Sequence, residues 1–170
     1  MKIFLRKTLL AFTSFAAAFI FTSNMNAVTV TDIDGLKALY NSAAAQNIEL
    51  GNGIYSTGTR IGPAGAGLKT IDLKNFTLSF YNNSASVNGG VMDLSNASLV
   101  LTNGNVIFSS NTSSDYGGAV YAYGSEFTFS GENITFSGNT AATLGGAIFA
   151  QSSVFIFNGN SSFVNNTAAD

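Results

Sequence analysis

Carboxylates are the main side chains here that could run acid–base or metal chemistry, because the chain holds no histidine and no cysteine. Glycoside cleavage needs two carboxyl groups roughly 5 to 10 Å apart, and a calcium site needs several oxygens with carboxylates among them. When the chain is laid out at the period derived below, Asp93 stacks with Tyr121 and Phe149, Glu126 with Ser98 and Val154, and Asp115 with Val87 and Thr143. Each acid stands apart from the others, and no Lys or Arg follows Lys74 to serve as a base. A protein that is not an enzyme, with no catalytic, metal or cofactor-binding residues, is the expectation.

The run GPAGAGLKT from Gly62 approaches the spacing of a phosphate-binding loop, but Leu68 separates Gly67 from Lys69 and a strand is expected where a helix should begin. It reads as a glycine-rich corner. Binding is the other chemistry to weigh. Tyr116, Tyr121, Tyr123 and Phe149 fall at outward positions, where aromatic side chains favour contact, although they could equally cover corners of the fold. Sequons such as Asn75-Phe76-Thr77 and Asn133-Ile134-Thr135 follow from a composition rich in Asn, Ser and Thr, and imply glycosylation only in a eukaryotic secretory route.

Residues 1–27 read as a secretory signal: Lys2, Arg6 and Lys7 precede an apolar run from Thr8 to Phe21, with cleavage expected after Ala27. Removing them leaves four cationic side chains against nine acids, a net charge of −5. That balance excludes nucleic acid as a partner, since a phosphate backbone needs a basic surface, and argues against adhesion to anionic lipid. An exported chain without cysteine must hold its fold by packing alone. Charged residues make up only 9% of the chain, so its exterior must be built from Ser, Thr, Asn and Gly.

The elements that carry these residues follow from a repeated cassette. A Phe is followed three residues later by Asn at Phe80/Asn83, Phe108/Asn111, Phe136/Asn139 and Phe163/Asn166, with pairs Gly89-Gly90, Gly117-Gly118 and Gly145-Gly146 between them. The Phe positions are 28, 28 and 27 apart. A fixed period of that size marks a solenoid, in which each repeat buries its apolar face against its neighbours. At this period Ile71, Leu99, Phe127 and Phe155 form one column, and Leu73, Leu101, Phe129 and Phe157 a second. Leu78, Val106 and Ile134 form a third, and the four cassette Phe a fourth. A spacing of two places paired columns on one face of a strand. After each glycine pair comes another short strand, VMDL, AVYA or AIFA, with Met92, Val120 and Ile148 inward and Asp93, Tyr121 and Phe149 outward.

Three strands per coil and connections too short for a crossover helix predict an all-β, right-handed parallel β-helix of about four to five coils. The cassette Asn residues are expected at left-handed turns and in a side-chain ladder, and the glycines where φ is positive or backbones approach closely. Residues 28–70 should form a cap and first coil: a short strand at Val28–Val30, a capping-box-like start at Thr31 and Asp34, and an amphipathic helix marked by Ile33, Leu36, Leu39 and Tyr40 and running to about Gln46. Residues 71–170 are the repeats. Since the chain stops at Asp170, two residues before the next glycine pair falls due, the coils are expected to continue past it.

FxxN alternating with GGA[ILV] resembles the chlamydial polymorphic membrane proteins and related autotransporter passengers. The resemblance lies in FSSN at 108 with Gly117-Gly118-Ala119-Val120, FSGN at 136 with Gly145-Gly146-Ala147-Ile148, FVNN at 163 and, more weakly, FYNN at 80 with GGVM at 89. It implies a surface-exposed β-helical passenger, carried across the outer membrane by a C-terminal barrel that this sequence does not contain, and adhesive toward a host or neighbouring-cell protein or glycan. By the same resemblance the cassette residues are candidate adhesion determinants. Family members often carry cysteine and this chain does not. Two other readings stand beside adhesion: a pectate-lyase-like carbohydrate-active protein with its active site outside this segment, and a passive stalk.

Overall fold

The computed structural model describes the backbone at residues 28–32, 46–54, 56–57, 62–63 and 67–169, and the side chains of residues 68–169. The leader with Ala27 lies outside the described residues, as do residues 33–45 of the expected helical cap. The residues flanking the latter are strands, Val28–Asp32 and Gln46–Ile54.

The described chain is all strand and turn, and every strand pairing is parallel. Parallel neighbours without helices between them leave one solution: each strand pairs with its counterpart one turn away. The result is a β-solenoid with four strands per turn. Face 1 stacks Val28–Asp32, Gln46–Ile54, Gly67–Asp72, Ala97–Thr102, Glu126–Ser130 and Val154–Phe157. Face 2 stacks Ser56–Thr57, Thr77–Tyr81, Asn105–Ser109, Asn133–Ser137 and Asn160–Val164. Face 3 is a ladder of two-residue strands, Ser84–Ala85, Thr112–Ser113, Thr140–Ala141 and Thr167–Ala168. Face 4 stacks Gly62–Pro63, Met92–Ser95, Val120–Tyr123 and Ile148–Gln151. Face 3 corrects the expectation of three strands per coil; its strands are too short to show an alternating pattern in sequence.

Most expected columns hold. Leu99 pairs with Phe127 and Phe127 with Phe155, Leu78 with Val106 and Val106 with Ile134, and the four cassette Phe residues are in register. The first coil departs. Lys69, not Ile71, pairs with Leu99, and Ile71 pairs with Leu101, a shift of two residues. The corner between Asp72 and Thr77 runs through Leu73, Lys74, Asn75 and Phe76, whereas its successor needs only Asn103 and Gly104. Lys74 and Asn75 both take positive φ, 49° and 64°, to close the longer turn. Lys69 is consequently fully buried on an inward position, and desolvation lowers the pKa of its ammonium.

The core is one continuous apolar column system running up the inside of the stack. Phe80, Phe108, Phe136 and Phe163 are stacked with centroids 5.2, 4.7 and 4.8 Å apart, so ring spacing follows the inter-strand spacing of about 4.8 Å. Packing of this kind satisfies rings and ladder hydrogen bonds with one geometry. Among the described residues no pocket opens in the stack.

Candidate functional site

The residues singled out by the cassette converge on the two corners that flank face 3. Asn83, Asn111 and Asn139 point inward and are buried; Asn166 is partly buried. Each side-chain amide donates to the next Asn Oδ1, at 2.8, 2.9 and 2.8 Å along the series. The same Oδ1 accepts the backbone N–H of the Asn below it at 3.0 Å. The Nδ2 groups of Asn111, Asn139 and Asn166 also donate to the carbonyls of Phe80, Phe108 and Phe136, at 3.2, 3.1 and 2.9 Å. A corner turns the backbone away from its own ladder, and the amide replaces the missing partners.

The expected left-handed turn falls one residue earlier than the cassette Asn. Asn82, Ser110, Gly138 and Asn165 have φ of 53°, 53°, 61° and 54°. This corrects one of the two reasons given to Asn: the side-chain ladder is present, built on a buried amide with two donors and one acceptor, but it is the preceding residue that bends the chain.

The glycine pairs divide the two roles anticipated for them. Gly89, Gly117 and Gly145 take φ of 58°, 68° and 71°. Gly90, Gly118 and Gly146 allow close approach: a Cβ on Gly118 would lie 2.0 Å from the Gly146 carbonyl oxygen. Ala119, Val120 and Ala147 are buried behind them, and Ile148 is partly buried. The motif side chains therefore face the interior; Phe163, stacked on Phe136 in the last turn, keeps 49% of its surface exposed.

On the outside of face 4 the predicted aromatic residues come together. The Tyr121 and Phe149 rings are stacked at 5.6 Å and within 5° of parallel, and Tyr116 reaches Phe149 at 4.7 Å. Tyr123 stands two residues on, 45% exposed. Asp93 continues the Tyr121 column toward the N terminus and accepts a hydrogen bond from Ser95 Oγ at 2.7 Å. Asp115 accepts one from Thr143 Oγ1 at 2.9 Å. Burial first, and then the negative charges of Asp93 and Asp115 among neighbouring groups, push the Tyr121 phenol pKa up. Glu126 pairs in register with Ser98 and Val154, as the period requires.

Two devices escape the cassette. Ser125 and Ser153 form a hydroxyl ladder at the corner between faces 4 and 1: Ser125 Oγ accepts the Ala97 N–H at 3.1 Å, and Ser153 Oγ accepts the Ser125 N–H at 3.1 Å. Gly104, Gly131 and Gly159 make a further glycine column at the corner between faces 1 and 2, where a Cβ on Gly131 would lie 2.3 Å from the Gly104 oxygen. The signal for both was a recurrence of 27 or 28 residues in common residue types.

Repeated coils, a buried amide ladder and glycine corners define a parallel β-solenoid of near-identical units. Two stretches, residues 105–123 and 133–151, match the Chlamydia polymorphic membrane protein repeat. Each matched stretch begins at the first residue of a face 2 strand and ends at the last residue of a face 4 strand, so the family unit contains both face 3 corners and leaves face 1 out. No curated protein and no solved structure matches the chain.

Proposed function

We propose that the chain is a surface-displayed passenger of the polymorphic membrane protein type, exported by its N-terminal leader and adhesive toward a host or neighbouring-cell surface. The observation that carries this reading is the coincidence of the family repeat with two whole corner-to-corner units of the stack. Its winding is right-handed, as parallel connections are with few exceptions. Anchorage falls to an outer-membrane barrel encoded outside this sequence. The protein acts by display and is not an enzyme: the cassette residues hold the coils in register, and outward side chains between them make the contacts.

The test is adhesion of beads coated with the full chain to cultured host cells, together with antibody labelling of intact producing cells. Saturable bead binding and labelling without permeabilisation are expected. Labelling that appears only after the cells are broken would defeat the reading.

A further inference from the structure

We infer that the outer aromatic cluster of face 4 is a docking surface for cationic side chains, arginine foremost, on a basic segment of a protein partner. This rests on the display reading above and names the chemistry of its partner. The Tyr121 ring has Phe149 stacked on one side, while on the other side its column continues with a carboxylate, Asp93, one turn away. A guanidinium entering beside Tyr121 meets an aromatic face and a negative field together. Asp115, next to Tyr116 in the chain and hydrogen-bonded by Thr143 of the following turn, adds a second negative charge beside the cluster. Neither carboxylate has to surrender its hydrogen bond from Ser95 or Thr143, because its field acts across a Debye length of about 8 Å.

Charge complementarity selects the partner. Beyond Lys74 the described stack carries Asp93, Asp115, Glu126 and Glu132 and no cation. An anionic ligand would find nothing to pair with. A neutral sugar would meet the same Tyr121 face but would draw nothing from the charges of Asp93 and Asp115, which is what favours a cation. The rings are held by one another and by a rigid strand, so little side-chain freedom is lost when a cation docks.

The experiment is fluorescence anisotropy of a labelled hexa-arginine peptide with the full chain, at low and at physiological salt, with labelled cellohexaose as the neutral alternative. Tyr121→Leu and Asp115→Asn should each weaken hexa-arginine binding about fivefold to tenfold. Glu132→Gln, an equal charge change at an exposed corner away from the cluster, should change it less than about twofold. Asp93→Asn, which leaves the packed rings in place and removes the charge beside Tyr121, should weaken binding similarly and keeps the test open if Tyr121→Leu does not fold. Equal losses for Asp115→Asn and Glu132→Gln, with none for Tyr121→Leu, would reduce the effect to bulk charge and overturn the assignment. Cellohexaose binding that depends on Tyr121, with none for hexa-arginine, would replace it with a glycan site. Peptide binding without cell adhesion would remove the display reading alone, and adhesion that survives Tyr121→Leu and Asp115→Asn would remove this one alone.

Discussion

Two corners of the same coil follow opposite rules. Between face 2 and face 3 the distance from Phe to Asn is three residues in every turn, at Phe80, Phe108, Phe136 and Phe163. Between face 1 and face 2 the distance from the last inward residue of face 1 to the first residue of face 2 changes: six residues from Ile71 to Thr77, four from Leu101 to Asn105, four from Phe129 to Asn133 and three from Phe157 to Asn160. The first corner is closed by a buried amide whose hydrogen bonds run to both neighbouring turns. The second is closed by glycine contact and local turns of varying length; in the longest, Leu73 is buried while Lys74 and Asn75 face solvent. Register in this solenoid is thus fixed where a side chain is woven into the ladder, and length varies where only backbone turns. The family repeat covers the first kind of corner and omits the second.

Inserting residues into both corners should sharpen the contrast most. Two residues between Ser110 and Asn111 would displace Asn111 from Asn83 and Asn139 and cost more than about 5 kcal/mol, a loss at the exceptional end for any local change. Two residues between Asn103 and Gly104 would reproduce the length already present after Asp72 and cost about 1 kcal/mol or less. Urea unfolding of the two variants decides it, and equal destabilisation would erase the distinction between the corners.

Removing a ring compares the columns that the ladder aligns. Phe136 is fully buried between Phe108 and Phe163, and Phe136→Ala should cost about 3 to 5 kcal/mol. A loss below about 1 kcal/mol would show that the ring lies outside the core. Next comes a pair of asparagines that differ in direction. Asn139→Ala strands the Asn111 backbone N–H and leaves the Asn111 amide with the Phe80 carbonyl, and a buried orphan costs about 1 to 3 kcal/mol. Asn133, in an exposed ladder with Asn105 and Asn160, should lose less than about 0.5 kcal/mol on the same change.

The smallest effect belongs to the variable corner itself. Asp72 is partly desolvated, yet its carboxyl pKa is net lowered by hydrogen bonds from the Lys74 N–H and Asn103 Nδ2 and by the Lys74 ammonium at 3.1 Å. A carboxyl depressed in the folded state stabilises above its unfolded pKa and loses that contribution as pH falls through the folded pKa. The pair is largely solvated, so Asp72→Asn should cost less than about 1 kcal/mol at neutral pH and nothing once the carboxyl is protonated. A cost unchanged between neutral and strongly acidic solution would mean the corner is held by turn geometry alone.

The same two rules explain what the sequence disclosed. Wherever Phe, Asn and paired Gly recur at fixed spacing, reading one coil over the next placed inward and outward residues correctly, down to Tyr121 and Phe149 outside and Val120 inside. The reading slipped at Ile71 because a strict period cannot register two extra residues in one corner, and Lys69 in the Leu99 column is a residue that hydropathy alone would put outside. Face 3 was invisible because two-residue strands have no period. The Ser125–Ser153 ladder was lost because serine is common here, and a hydroxyl 28 residues from another stands out only once the corner geometry is known. The aromatic cluster was legible as outward residues, but the meeting of Tyr116 with Phe149 depends on how the glycine-pair loop folds back.

Hydrogen exchange of the asparagine side-chain amides, followed by NMR on the labelled protein, addresses the buried ladder most directly. The Nδ2 protons of Asn111 and Asn139 should exchange only with global unfolding, while those of Asn105 and Asn133 exchange orders of magnitude faster from the exposed ladder. Equal and rapid exchange at all four positions would contradict the account, because the amides said to set the register would then be open to water.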